Sequence, residues 1–153
     1  MSLPEFDVSG QKVLVVGAGR GIGKGIAMTF AEAGAEVAIA SLTKATVGKV
    51  AEDITAMGGR ALPVTGDATK AADMDNITSQ VLAEFGHIDT LVTCVGDSIR
   101  KHIVQLPGSP DEGMTEEDWN NVVSINLTEA FQGCRSVGPH LLSRGKGSVI
   151  NIS

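Results

Sequence analysis

The chain has 153 residues, 42% of them hydrophobic and 20% charged, enough for one domain that buries roughly 70% of the surface its unfolded chain would expose. Its net charge of −6, with no block of Lys or Arg, argues against nucleic acid or an anionic membrane as a partner. Met1–Gly10 carries Glu5 and Asp7 and no apolar run, and no stretch of about 18 consecutive apolar residues occurs anywhere, so a cytoplasmic chain is expected.

Short runs rich in Val and Ile alternate with longer segments of helical period, the pattern of an α/β protein with a parallel sheet. The first strand is predicted at Lys12–Gly17, where "VLVV" suits a strand covered on both faces. A helix over Gly21–Ala33 ends at Gly34, and the next strand is Glu36–Ser41. A second helix, Lys44–Met57, ends at Gly58–Gly59 and leads into a strand at Ala61–Thr65. The third helix is read at Lys70–Phe85 and the fourth strand at Asp89–Val95.

Gly96–Met114 is the one irregular stretch, with Pro107, Gly108, Pro110 and Gly113 in it, and a loop of that length is more often functional than idle. Its Arg100 and Lys101 are expected to face water. Thr115 and Asp118 form a predicted capping box for a long helix, Glu116–Ser143, which Gly133, Gly138 and Pro139 should bend or break in its second half. The last strand is Ser148–Ile152. Cys94 and Cys134 lack metal-ligand spacing and lie in apolar stretches, as buried thiols do.

The chemistry starts in "VLVVGAGRGIGKG". A strand, a glycine turn and a helix N-terminus form an anion site, because unpaired N–H groups and the positive end of the helix dipole point the same way. The spacing G-x-G-x-x-G fails, since Ile22 stands at the sixth position counted from Gly17 as the first, and no G-K-[ST] occurs. What fits is G-x-x-x-G-x-G, written by Gly17, Gly21 and Gly23 with Gly19 between.

This loop resembles the cofactor loop of the short-chain dehydrogenase/reductase family, and the resemblance runs from Lys12 to Ser153. It implies a Rossmann-like doubly wound sheet of order 3-2-1-4-5. Gly17 would make the tight turn, Gly21 would admit a pyrophosphate, Gly23 would let the helix pack close, and Ile22 would offer its N–H. "GDAT" puts Asp67 and Ala68 where the family holds the adenine ring, although Asp67 taken alone reads as a loop or cap residue. "DTLVTCVG" stands where the family writes D-x-L-V-N-N-A-G, so Thr93, Cys94 and Val95 replace Asn-Asn-Ala at the cofactor floor and Gly96 alone is kept. Val16 replaces a frequent Thr before the loop. Asn126 stands where the family has a helix-distorting Asn that holds a water in a proton relay; the other reading is an Asn bonded only to backbone.

The implied reaction moves a hydride between NADP(H) or NAD(H) and a small-molecule carbonyl or alcohol. A carboxylate after the second strand would select NAD, but Ser41 and Leu42 stand there, and Arg20 can meet a 2′-phosphate, so NADP is preferred over NAD. A solvated loop charge is the other reading of Arg20. The family's proton-exchanging Tyr has no counterpart, for the chain contains no Tyr, and the catalytic Ser would follow Ser153. His87 and His140 are poor substitutes by position, and His102, which is nearer in the irregular loop, reads as a surface loop histidine. We therefore expect the cofactor half of a longer, homo-oligomeric enzyme (dimer or tetramer), a 153-residue chain inactive alone, and as the alternative a non-catalytic dinucleotide-binding or assembly module.

Overall fold

The computed structural model describes residues 7–105, 107–110 and 112–153. Five parallel strands form one sheet in the order β3-β2-β1-β4-β5: β1 Lys12–Val16, β2 Glu36–Ser41, β3 Arg60–Thr65, β4 Thr90–Thr93 and β5 Ser148–Asn151. The doubly wound order expected from the resemblance is thus present. Register is unbroken through the centre, with Val15 beside Ile39 of β2 and Val92 of β4.

Alternation along the strands divides the core in two. Leu14 and Val16 point to one face with Ala38, Ala40 and Val64, and there they meet Met74, Ile77 and Val81 of helix α3 (Ala71–Phe85) and Val137 and Leu141 of helix α5 (Glu129–Arg144). Val13, Val15, Val37 and Ile39 point to the other face, against helix α1 (Gly21–Glu32) and helix α2 (Lys44–Ala56). The buried face of α1 is Gly23, Ala27 and Ala31, small residues that let its axis come close to the sheet.

The strand and helix bounds differ from the expected ones by a residue or two at most ends. The fourth strand is shortened at both ends: pairing stops at Thr93, so Cys94 and Val95 leave the ladder and belong to the crevice. The long helix also differs. Helix α4 (Glu116–Val123) passes into a π-helical turn, Ser124–Thr128, and then into α5, which runs unbroken through Gly133, Gly138 and Pro139. Pro139 removes one helical hydrogen bond, but Val137 and Leu141 on either side of it are buried and hold the helix in line. Thr115 and Asp118 do form the capping box. Cys94 and Cys134 are half-buried rather than buried.

Candidate cofactor site

The strand order reverses at β1, with β2 and β3 to one side and β4 and β5 to the other, so a crevice opens beyond the carboxyl ends of β1 and β4. The glycine loop fills its mouth. Gly17 and Ala18 donate to the Ala40 carbonyl at 2.8 and 3.1 Å, and Cys94 donates to the Val16 carbonyl at 2.9 Å, which ties the loop to both neighbouring strands.

Each glycine has a distinct reason. Gly17 has φ +84°, and a Cβ there would strike the Cys94 carbonyl and stand 2.8 Å from the Val95 nitrogen. At Gly23 a Cβ would strike the Gly17 carbonyl, so α1 rests directly on the loop. Gly21, at φ +57°, has nothing within 4 Å of that position and borders open space. At Gly19 a Cβ would lie 2.7 Å from Ser41 Oγ and 2.6 Å from Thr46 Oγ1, so the loop touches the end of β2. The amides of Gly21, Ile22 and Gly23 have no acceptor among the described residues, and no acidic side chain occupies the first turn of α1. These open amides suit an anion, and a pyrophosphate fits them.

Around this mouth the other anticipated residues are spread. Arg20 is the N-cap of α1, exposed, with no side-chain partner among the described residues. The Thr46 hydroxyl donates to the Thr43 carbonyl at 2.8 Å, so in its 3.2 Å contact with Ser41 it accepts and Ser41 donates. Leu42 is exposed. Asp67 is committed to its own turn. Its Oδ1 accepts from the Thr69 hydroxyl at 2.6 Å and the Thr69 amide at 3.1 Å, and Lys70 pairs with Oδ2 at 3.2 Å. The Thr69 hydroxyl bond, more than the other contacts, holds its carboxyl below the usual range. Ala68 beside it is buried.

Asn126 lies inside the π turn. Its Nδ2 donates to the Asp97 and Val122 carbonyls, both at 2.8 Å, and its Oδ1 stands 3.0 Å from where a Gly96 side chain would begin. The side chain is exposed, not buried. Glu129, three residues on, is a further residue of the site that the motifs do not mark. It is 1% exposed, its Oε1 has no partner among the described residues, and burial pushes its carboxyl up to about 7 against the opposing effect of the Val95 amide. The signal was there: Gly133, Val137 and Leu141 continue at intervals of four on the buried face of α5, and Glu129 heads that stripe.

Other candidates lie elsewhere. His140 Nε2 accepts from the Ile88 amide at 3.1 Å and His87 contacts Asp89 at 3.1 Å, both before β4 and away from the crevice. Lys101 does not simply face water: it pairs with Asp118 at 2.6 Å, drawn there by the carboxylate of the capping box, while Arg100 is exposed.

With this geometry in view, the sequence matches the short chain dehydrogenase family over residues 11–153. It is 35% identical over 146 residues to a 2,5-dichloro-2,5-cyclohexadiene-1,4-diol dehydrogenase of Sphingobium indicum, covering 95% of this chain and 55% of that protein. It is 30% identical over 154 residues to the 2-dehydro-3-deoxy-D-gluconate 5-dehydrogenase of Escherichia coli, covering 100% of this chain and 57% of that one. The fold superposes on a 7α-hydroxysteroid dehydrogenase solved with NADH and 7-oxo glycochenodeoxycholic acid, with a TM-score of 0.87 and 26% identity over 97% of this chain and 55% of that one. The chain thus spans about half the length of the relatives it matches, their N-terminal portion. It belongs to the short chain dehydrogenase family.

Proposed function

We propose that this chain binds a nicotinamide dinucleotide and forms the cofactor half of an oxidoreductase acting on a small carbonyl or alcohol. The observation that carries the reading is the mouth of the crevice: three open amides at Gly21, Ile22 and Gly23, with a glycine at each point where a side chain would strike backbone or block approach. Gly17, Gly19 and Arg20 complete the pyrophosphate side. Asp67 and Ala68 flank the adenine, Asp67 through the backbone its side chain holds in shape. Cys94, Val95 and Gly96 form the floor under the nicotinamide. When bound, the dinucleotide supplies or accepts the hydride.

NADP is favoured over NAD. The end of β2 offers the Ser41 hydroxyl and Leu42 in place of a carboxylate, and Arg20, free of any ion pair among the described residues, is the guanidinium available to a 2′-phosphate. Asn126 anchors the π turn to the chain after β4 through its amide hydrogens and keeps Oδ1 for a relay water. In the whole enzyme, the group that exchanges the substrate proton comes from outside these 153 residues, which contain no Tyr. The replacement of Asn-Asn-Ala by Thr93, Cys94 and Val95 at the floor favours a second reading, a dinucleotide-binding module without catalysis.

Titration of the full-length protein with NADPH and NADH, followed by assay on alcohols and ketones, tests both. Binding with turnover supports the enzyme; binding with no turnover across a broad panel supports the module. Absence of binding by either dinucleotide overturns the cofactor reading.

A further inference from the structure

The peptide between Cys94 and Val95 is held from two sides. On one side Gly17 of the glycine loop lies so close that a methyl group would strike it. On the other, Glu129 buries its carboxyl one turn before Gly133, where the Val95 amide draws its proton affinity down, while Asn126, one turn earlier, donates to the Asp97 carbonyl. Helix α5 can come this near because Gly133 faces β4: a Cβ there would stand 3.0 Å from Thr93 Cγ2. Together Glu129 and Asn126 grip the segment 95–97, which leaves the sheet after Thr93 and has no ladder to hold it.

We propose that Glu129 is a positioning residue for the dinucleotide site: its buried carboxyl, at the head of the α5 stripe that packs on β4, fixes the floor on which the glycine loop rests. This inference rests on the reading that the crevice takes a dinucleotide. Its physical basis is the buried Oε1, which no donor in the described structure satisfies. A carboxylate there would carry a full charge with no donor at Oε1 among the described residues, and the seam between α5 and β4 would have to open to hydrate it. Opening that seam moves Val95 and the loop upon it.

The surroundings offer no countercharge. From β4 comes Cys94, whose thiol is pushed up first by burial and then by the charge of Glu129 itself. On α3, Asp75 is bonded to Arg135, and Asn151 of β5 is uncharged and accepts from Thr93. Among the described residues no cation contributes at Glu129.

The test is the affinity of the full-length protein for NADPH and for NADH from about pH 6 to about pH 9, in wild type, Glu129→Gln and Glu129→Ala, with pH windows set by proton linkage. NADH is included because its binding carries no titration of a 2′-phosphate. In wild type, Kd for both dinucleotides should rise above about pH 7, by at most about tenfold per pH unit for one proton. Glu129→Gln, the isosteric neutral side chain, should match wild type at the acid end and stay flat. Glu129→Ala should bind more weakly than Glu129→Gln at every pH. If Glu129→Ala fails to fold, the comparison of wild type with Glu129→Gln decides alone. Identical pH profiles in those two would overturn the role of Glu129 while leaving the cofactor reading intact, and a wild type that binds neither dinucleotide at any pH would overturn both.

Discussion

Arg20 is an exposed cation at the start of α1, beside a loop that touches Ser41, and this placement makes it the residue through which the two dinucleotides should be told apart. Arg20→Ala should weaken NADPH binding by about 1–3 kcal/mol, the usual value of a charge-assisted bond, and leave NADH nearly unchanged. Equal losses in paired titrations would assign Arg20 to the solvent. Glu129 makes the opposite kind of prediction, one about the fold itself. Its carboxyl rises from 4.5 to about 7 on folding because of burial, so the unfolded chain releases this proton first. Its contribution is therefore neutral below pH 4.5, and stability is lost as pH rises from there through about 7. Glu129→Gln removes the loss, and should stabilise the full-length protein above pH 7 by up to roughly 3 kcal/mol, with little effect near pH 4.5. Thermal melts of the two proteins that stayed parallel across this range would show that Glu129 is ionised in the fold. The glycines were legible in the sequence because each answers to backbone geometry that only glycine meets. Glu129 was harder to read: Gly133, Val137 and Leu141 mark the stripe it heads, but a carboxylate at the end of that stripe reads as solvated until β4 is seen to lie across the helix.

At the scale of elements, the loop and α1 act as one rigid joint, and two of its glycines should fail differently. At Gly23 an added methyl meets the Gly17 carbonyl, a backbone atom with nowhere to go, so Gly23→Ala must push α1 from the loop and should cost about 1–3 kcal/mol of stability as overpacking does. At Gly21 the methyl meets nothing, and the cost is that of a left-handed conformation, about 1–2 kcal/mol. For ligand binding the order should invert in severity per unit of stability lost, since the Gly21 methyl occupies the space through which a pyrophosphate approaches. Denaturant unfolding and NADPH titration of both variants check this, and a Gly21→Ala protein of unchanged affinity would remove the close approach. The strands were legible for a simple reason: apolar runs of four to six between glycine turns leave a buried parallel sheet as the natural reading. The bend expected at Gly133, Gly138 and Pro139 is absent because packing overrides their strong local signals, whereas the helix distortion that the resemblance implied at Asn126 is the π turn at Ser124–Thr128. The turn itself owes its position to Asn126 reaching across to Asp97, a contact between segments 29 residues apart that no local propensity encodes.

Among the described residues two apolar surfaces lie uncovered, and they call for different partners. Along α1 and β5 runs a groove of about 810 Å³ lined by Ile22, Ile26, Phe30, Val92, Ile150 and Ile152. On the outer side of the π turn and the last two helices, Trp119, Leu127, Phe131 and Leu142 are all more than half exposed, at 60%, 65%, 59% and 82%. Phe131 and Leu142 lie eleven residues apart, three helical turns, and so share one face of α5, opposite the stripe of Glu129, Gly133, Val137 and Leu141 that packs on β4. A helix with one apolar face on the sheet and a second facing outward suits pairing with the same helix of another copy about a two-fold axis. We expect the full-length protein to be a dimer or tetramer through this face, and the double substitution Leu127→Glu with Phe131→Glu to halve its mass in light scattering while preserving its far-ultraviolet circular dichroism. The measurement must use the full-length protein, because residues 1–153 expressed alone would also expose the groove and associate through it. A double variant that keeps the wild-type mass would move the interface off this helix, and a wild type that is monomeric would remove it altogether.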